Sequence, residues 1–132
     1  MAEIAVPREV VAAVRVAATP AALDAASWPA DATALRLAAD EVLLVDVLDA
    51  AAPEPHAIVF PDTGWVRFPL LPAEGADLLE RAATWPPPAS GLAQGAVAGI
   101  PAKVVVRPDR WWVIVQGVLA DEFEERIREV LS

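Results

Sequence analysis

Cysteine is missing from this sequence altogether, and with it go disulfides, thiolate chemistry and zinc sites built on sulfur. Histidine occurs once, as His56. One imidazole without clustered carboxylates does not make a zinc or iron centre, and no nucleophile motif indicates a Ser-His-Asp arrangement. Positive charge is scarce as well. Ten Lys and Arg face nineteen Asp and Glu, a net charge of −9, which argues against the phosphate backbone of a nucleic acid as partner. Long apolar runs are also lacking. The longest uncharged stretch, Ala82–Ala102, is interrupted by the prolines at 86–88, by Gly91, Gly95 and Gly99, and by Pro101. A spanning helix of about 20 apolar residues is therefore not expected, nor is a membrane partner. Glu3, Pro7 and Glu9 stand where a signal peptide would need basic and then apolar residues, so a cytoplasmic protein is expected.

What the chain does have is apolar residues, 56% of 132, where about 45–50% is usual for a soluble domain. A buried subunit interface would account for the surplus. The length suits a single domain over residues 1–132.

Patterning divides that domain into short elements. "VVAAVRVA" (Val10–Ala17) reads as a strand. Thr19 and Pro20 then supply an N-cap and a first-turn proline for a helix through "AALDAAS", which Trp28-Pro29 ends. "TALRLA" and "EVLLVDV", separated by Ala39-Asp40, read as a hairpin, and "AIVF" and "WVRFPL" on either side of "PDTG" as a second. Pro72 starts a helix that Trp85-Pro86 ends. "PPPASGLAQG" reads as a loop, and "AKVVVR" with "WWVIVQ" as a third hairpin across Pro108-Asp109. In "LADEFEERIREVL", Leu119, Phe123, Ile127, Val130 and Leu131 share one face at helical spacing. Glu122 and Glu125 early, with Arg126 and Arg128 late, suit the helix dipole.

A weak internal order recurs. Val14-Arg15-Val16, Pro20-Ala21, Trp28-Pro29 and the hairpin around Asp40 are followed by Val66-Arg67-Phe68, Pro72-Ala73, Trp85-Pro86 and the hairpin around Asp109. This reads as a duplicated βαββ unit, residues 10–47 and 64–117. The fold class expected is α+β, a mixed or antiparallel sheet with helices on one face and a C-terminal amphipathic helix.

Candidate functional residues are few. Trp111 and Trp112 adjoin in one strand and must point to opposite faces, and the residues after them are apolar on both faces. Such a strand needs two covers, and the pair is read as interface residues. In "PDTGWVRF" a polar turn adjoins Trp65 and Arg67; Arg67 could bind a carboxylate bidentately, beside the plainer reading of a tight turn with an exposed arginine. His56 is a weak ligand-binding candidate beside the reading of a loop or strand-edge histidine. Asp121, Glu124 and Glu125 could hold a cation, but a solvated helix face explains them more simply. The glycines of "GLAQGAVAG" lack the ending of a P-loop and the spacing of a dinucleotide fingerprint, and read as turn or strand-packing residues. No catalytic residues, metal ligands or cofactor are assigned, and an enzyme acting on its own is not expected.

"ALRLAADEVLLV" (Ala34–Val45) resembles the strand–"PDEWLL"–strand segment of the sarcosine oxidase gamma subunit, a family related in fold to the folate-binding aminomethyltransferase (glycine-cleavage T) domains. "GWVRFPLLPAEGADLLERA" is similar to that family's strand and helix ending in "LL". "GLAQGAVAGIPAKVVV" is similar to its "A-Q-T-x-L-A-G-V-P" strand, and "WWVIVQGVLADEFEERI" to its last strand and terminal helix. Ala39 and Val42 stand where the family has proline and tryptophan. The resemblance implies a chain with no catalytic residues of its own that packs against larger flavin- and folate-binding subunits. The function expected is a non-catalytic subunit or interaction domain, its partner a second copy of the chain or a larger oxidoreductase subunit. The alternative is a free-standing protein that binds folate or a small anion, with Trp65 and Arg67 near the pocket.

Overall fold

Two helices of the computed structural model, which describes residues 7–131, begin on a proline. In α1 (Pro20–Ala25) and α2 (Pro72–Ala82) Pro holds the first helical position, where a missing N–H costs no intrahelical bond. Thr19 Oγ1 accepts the Ala22 N–H at 3.2 Å and caps α1, and the Glu74 carboxylate accepts the Leu71 N–H at 3.0 Å at the start of α2. The last helix, α3 (Ala120–Leu131), follows a 3-10 turn at Gly117–Leu119. Its first turn carries Asp121 and Glu122 and its last turn Arg128, as the dipole favours. No helix among the described residues is long and apolar enough to cross a membrane.

The described chain divides into two compact units, one formed by Val11–Trp65 and the other by residues 7–10 together with residues 66–131. In Val11–Trp65 the strand order is β3 (Thr33–Ala38), β4 (Glu41–Val45), β2 (Ala13–Ala17), β5 (Ile58–Pro61), with every neighbour antiparallel. Val14, Val16, Val42 and Leu44 point to one face and bury Leu23 of α1, with Trp28 and Val59 packed at the margin. The residues of opposite parity, Leu35, Leu43 and Val45, are buried too.

The second sheet has the order β1 (Glu9–Val11), β6 (Trp65–Leu70), β9 (Trp111–Gln116), β8 (Ile100–Val106), β7 (Gly91–Val97). One face of it carries Phe68, Val104, Val113 and Val115, which bury Leu78 and Leu79 of α2 with Phe123 and Ile127 of α3. The Phe68 and Phe123 rings meet at 5.2 Å and 59°, a tilted pair. The architecture is thus α+β, with two sheets of antiparallel strands and a C-terminal helix. The order strand, helix, hairpin occurs as β2–α1–β3–β4 and, with β7 added, as β6–α2–β8–β9. In the sheets the neighbours run β3-β4-β2 and β8-β9-β6.

Three segments differ from the sequence reading. Val10–Ala17 is not one strand: the chain breaks at Ala12, β1 joins the sheet of β6, and β2 pairs with β4 and β5. An unbroken apolar run gives no local sign of such a change of partner. The strands on either side of "PDTG" do not form a hairpin either. β5 lies against β2, where the Asp62 N–H donates to the Ala13 carbonyl at 2.9 Å and the Arg15 guanidinium holds the Asp62 carboxylate. Gly91–Val97, read partly as a loop, is an edge strand paired along its length with β8.

What keeps a glycine-rich edge strand ordered is an aromatic lid. A Cβ at position 95 would lie 2.6 Å from Trp85 Nε1 and 2.7 Å from its Cε2, so the indole rests directly on Gly95. Its Nε1–H donates to the Ala96 carbonyl at 2.9 Å. Gly95→Ala is expected to displace the ring and cost about 1–3 kcal/mol, read as a lowered urea midpoint with a shift in tryptophan emission. A stability equal to wild type would show that the indole moves aside freely.

The two-residue turn between β7 and β8 has Ala98 at φ 52° and Gly99 at φ 78°. Both positive values belong to the turn that suits the twist of a hairpin, in which Asn-Gly is the favoured pair. Alanine is strained there, and the turn persists because the Ala98 N–H donates to the Ala82 carbonyl at 2.7 Å while Arg126 donates to the Ala98 carbonyl. Ala98→Asn is expected to stabilise by about 1 kcal/mol in thermal or denaturant melts.

Candidate functional site

Strand alternation decides which side chains gather on the helix-free face of the five-stranded sheet. In β6, Val66, Phe68 and Leu70 enter the core, so Trp65 and Arg67 share the other face. In β9, Trp111, Val113 and Val115 enter the core, so Trp112 and Ile114 turn away from it. Trp111 is buried; Trp112 is half-buried, while its same-face neighbour Ile114 and Val105, opposite Trp112 on β8, are buried.

Trp112 is not bare on this face. The Arg67 guanidinium lies 4.3 Å from the centre of its ring and that of Arg107 lies 4.9 Å away. A guanidinium over an indole is held by the ring quadrupole and by stacking. Arg67 is fixed from its other side: its Nε and Nη2 both donate to one carboxylate oxygen of Glu9 in β1, at 2.8 and 2.6 Å. Only 12% of the Arg67 side chain is exposed, so this charge is largely matched by its neighbours before any ligand arrives. Arg107 sits in the β8–β9 turn, where its N–H donates to the Arg110 carbonyl at 3.2 Å, and it is exposed. The group is a preorganised stack of two arginines on one tryptophan, braced by a carboxylate. Such a surface can recognise; of its four side chains, only Glu9 could serve as a base, and Arg67 holds it.

The other residues singled out in the sequence fall elsewhere. Trp65 opens β6 and is buried, on the same face as Arg67 by alternation. His56 lies exposed in the turn before β5. On α3, Asp121 takes a hydrogen bond of 2.7 Å from Arg8, which raises the guanidinium pKa above its ordinary value, and Glu124 pairs with Arg128 at 3.1 Å. Among the described residues no group of three or more His, Cys, Asp or Glu is placed to hold a metal ion. Arg107 and Glu9 were not singled out from the sequence. Arg107 stands in the same "RPDRWW" stretch as the tryptophans, which is a usable sign, whereas Glu9 becomes a partner only through the pairing of β1 with β6.

No protein-family model matches the sequence, and no curated protein matches it. Among solved structures, the chain is similar to a chain of heterotetrameric sarcosine oxidase from Corynebacterium sp. U-96, solved in complex with pyrrole 2-carboxylate. The TM-score is 0.68 at 16% identity, over 99% of this chain and 86% of that one. The likeness is one of fold, and it agrees with the sarcosine oxidase gamma-like fold implied by the segments from Ala34 onward.

Proposed function

We propose that this chain is a non-catalytic subunit of an oxidoreductase assembly. The observation that carries the reading is the fold shared, over nearly the whole length of both chains, with a chain of a heterotetrameric oxidase. The side chains fit that role. The Arg67–Trp112–Arg107 group has the composition of a recognition surface, since Trp and Arg are over-represented among residues that dominate binding energy. Of the two tryptophans read as interface residues, Trp112 is the one retained, because its ring is half-buried while Trp111 is enclosed by the helix-side core.

The test is purification of the tagged chain from its native source at low salt, followed by size-exclusion chromatography. The chain is expected to elute with a flavin-containing partner and an amine-oxidising activity that neither component shows fully when separated. Elution as a free chain of 13.9 kDa, with no flavin in any fraction that contains it, overturns the reading.

A further inference from the structure

Strand β5 ends its sheet and shows apolar side chains to solvent. Phe60 stands opposite Arg15 and Ile58 opposite Ala17, so both share one face of the strand, and Val59 takes the other. Val59 packs against the α1 cluster, but Ile58 is 62% exposed and Phe60 40%. The hydrogen-bond phase of the edge follows from the Asp62 N–H donating to the Ala13 carbonyl. Antiparallel ladders alternate, so Ile58 and Phe60 turn their backbone groups toward β2, and Val59 and Pro61 turn theirs to the open side. Pro61 has no N–H. The open edge of β5 therefore offers two carbonyls and a single N–H.

The net charge of the unit that carries β5 has the same sign as those carbonyls. Residues 11–65 carry eight Asp and Glu against only Arg15 and Arg36. Both arginines are already in ion pairs, Arg15 with Asp62 and Glu41 and Arg36 with Asp24.

We propose that β5 is the docking edge for an extended basic segment of a partner polypeptide. Its alternate apolar residues cover Ile58 and Phe60, its backbone N–H groups meet the outward carbonyls, and its Lys or Arg side chains balance the excess of carboxylates in residues 11–65. A second copy of this chain would bring the same shortage of donors and the same excess of carboxylates. The proposal rests on the subunit reading and names the kind of segment the partner presents.

The experiment uses the full chain and fluorescently labelled synthetic peptides of alternating Lys and Val or alternating Glu and Val, followed by anisotropy at two salt concentrations. The Lys-Val peptide is expected to bind, to weaken as salt rises, and to outcompete the Glu-Val peptide. An Ile58→Ser, Phe60→Ser double variant is expected to weaken binding about tenfold with wild-type circular dichroism. Val59→Pro, which removes the outward N–H and no ladder bond, is expected to weaken it as well. Equal binding of the Glu-Val peptide, no binding of the Lys-Val peptide, or unchanged binding by the double variant overturns the proposal. So does a wild-type dimer in light scattering that the double variant dissolves, which would give the edge to a second copy. If the peptides fail while the chain still elutes with a flavoprotein, the assignment of β5 falls and the subunit reading stands.

Discussion

Trp111→Asp is expected to abolish folding, while Trp112→Asp, one residue along the same strand, leaves the protein folded. Trp111 is 7% exposed and belongs to the cluster of Phe68, Leu78 and Phe123. Helix α2 comes so close that a Cβ at Gly75 would lie 2.5 Å from Trp111 Cε3. Losing the indole forfeits about 3–5 kcal/mol, and a carboxylate in its place adds an unpaired buried charge. A total beyond about 5 kcal/mol reaches the whole stability of a marginal domain. At position 112 the new carboxylate would face Arg67 and Arg107. It exchanges two cation–π contacts for charge pairs at a half-exposed site, and the expected loss is about 1–2 kcal/mol. Far-UV circular dichroism and urea melts separate the two outcomes; unfolding of both variants would make Trp112 a core residue. Gly75→Ala offers an independent check of the same packing. Alanine is the better helix former by about 1 kcal/mol, so a net loss on substitution can come only from the clash with Trp111.

The second large effect is at α3. Phe123 is fully buried and its ring meets Phe68, so Phe123→Ala is expected to cost about 3–5 kcal/mol in a urea melt. Glu125→Ala, on the exposed side of the same helix, should stay within about 0.5 kcal/mol of wild type. The contrast isolates packing from helix propensity, since both substitutions introduce alanine. A loss below about 1 kcal/mol at Phe123 would mean that α3 is peripheral to the core.

The elements that depend on local physics were legible in the amino-acid sequence. Thr19-Pro20 and Pro72 mark helix starts because capping and a locked φ act within one turn of chain. Phe123 and Ile127 mark the buried face of α3 because helical spacing alone brings them together. The β3–β4 and β8–β9 hairpins were legible for the same reason, their partners being adjacent in the chain. The tertiary structure alone decided which sheet each strand joined. Val10–Ala17 parts at Ala12 and the strands beside "PDTG" separate, because pairing energy is gained wherever edges meet and short apolar strands carry no address. It also decided the surroundings of Trp112. The sequence required that adjacent tryptophans face opposite ways, a consequence of the two-residue period of a strand. That two arginines and a glutamate would gather on the second of them depended on β1, β6 and β9 lying side by side, a matter of long-range pairing.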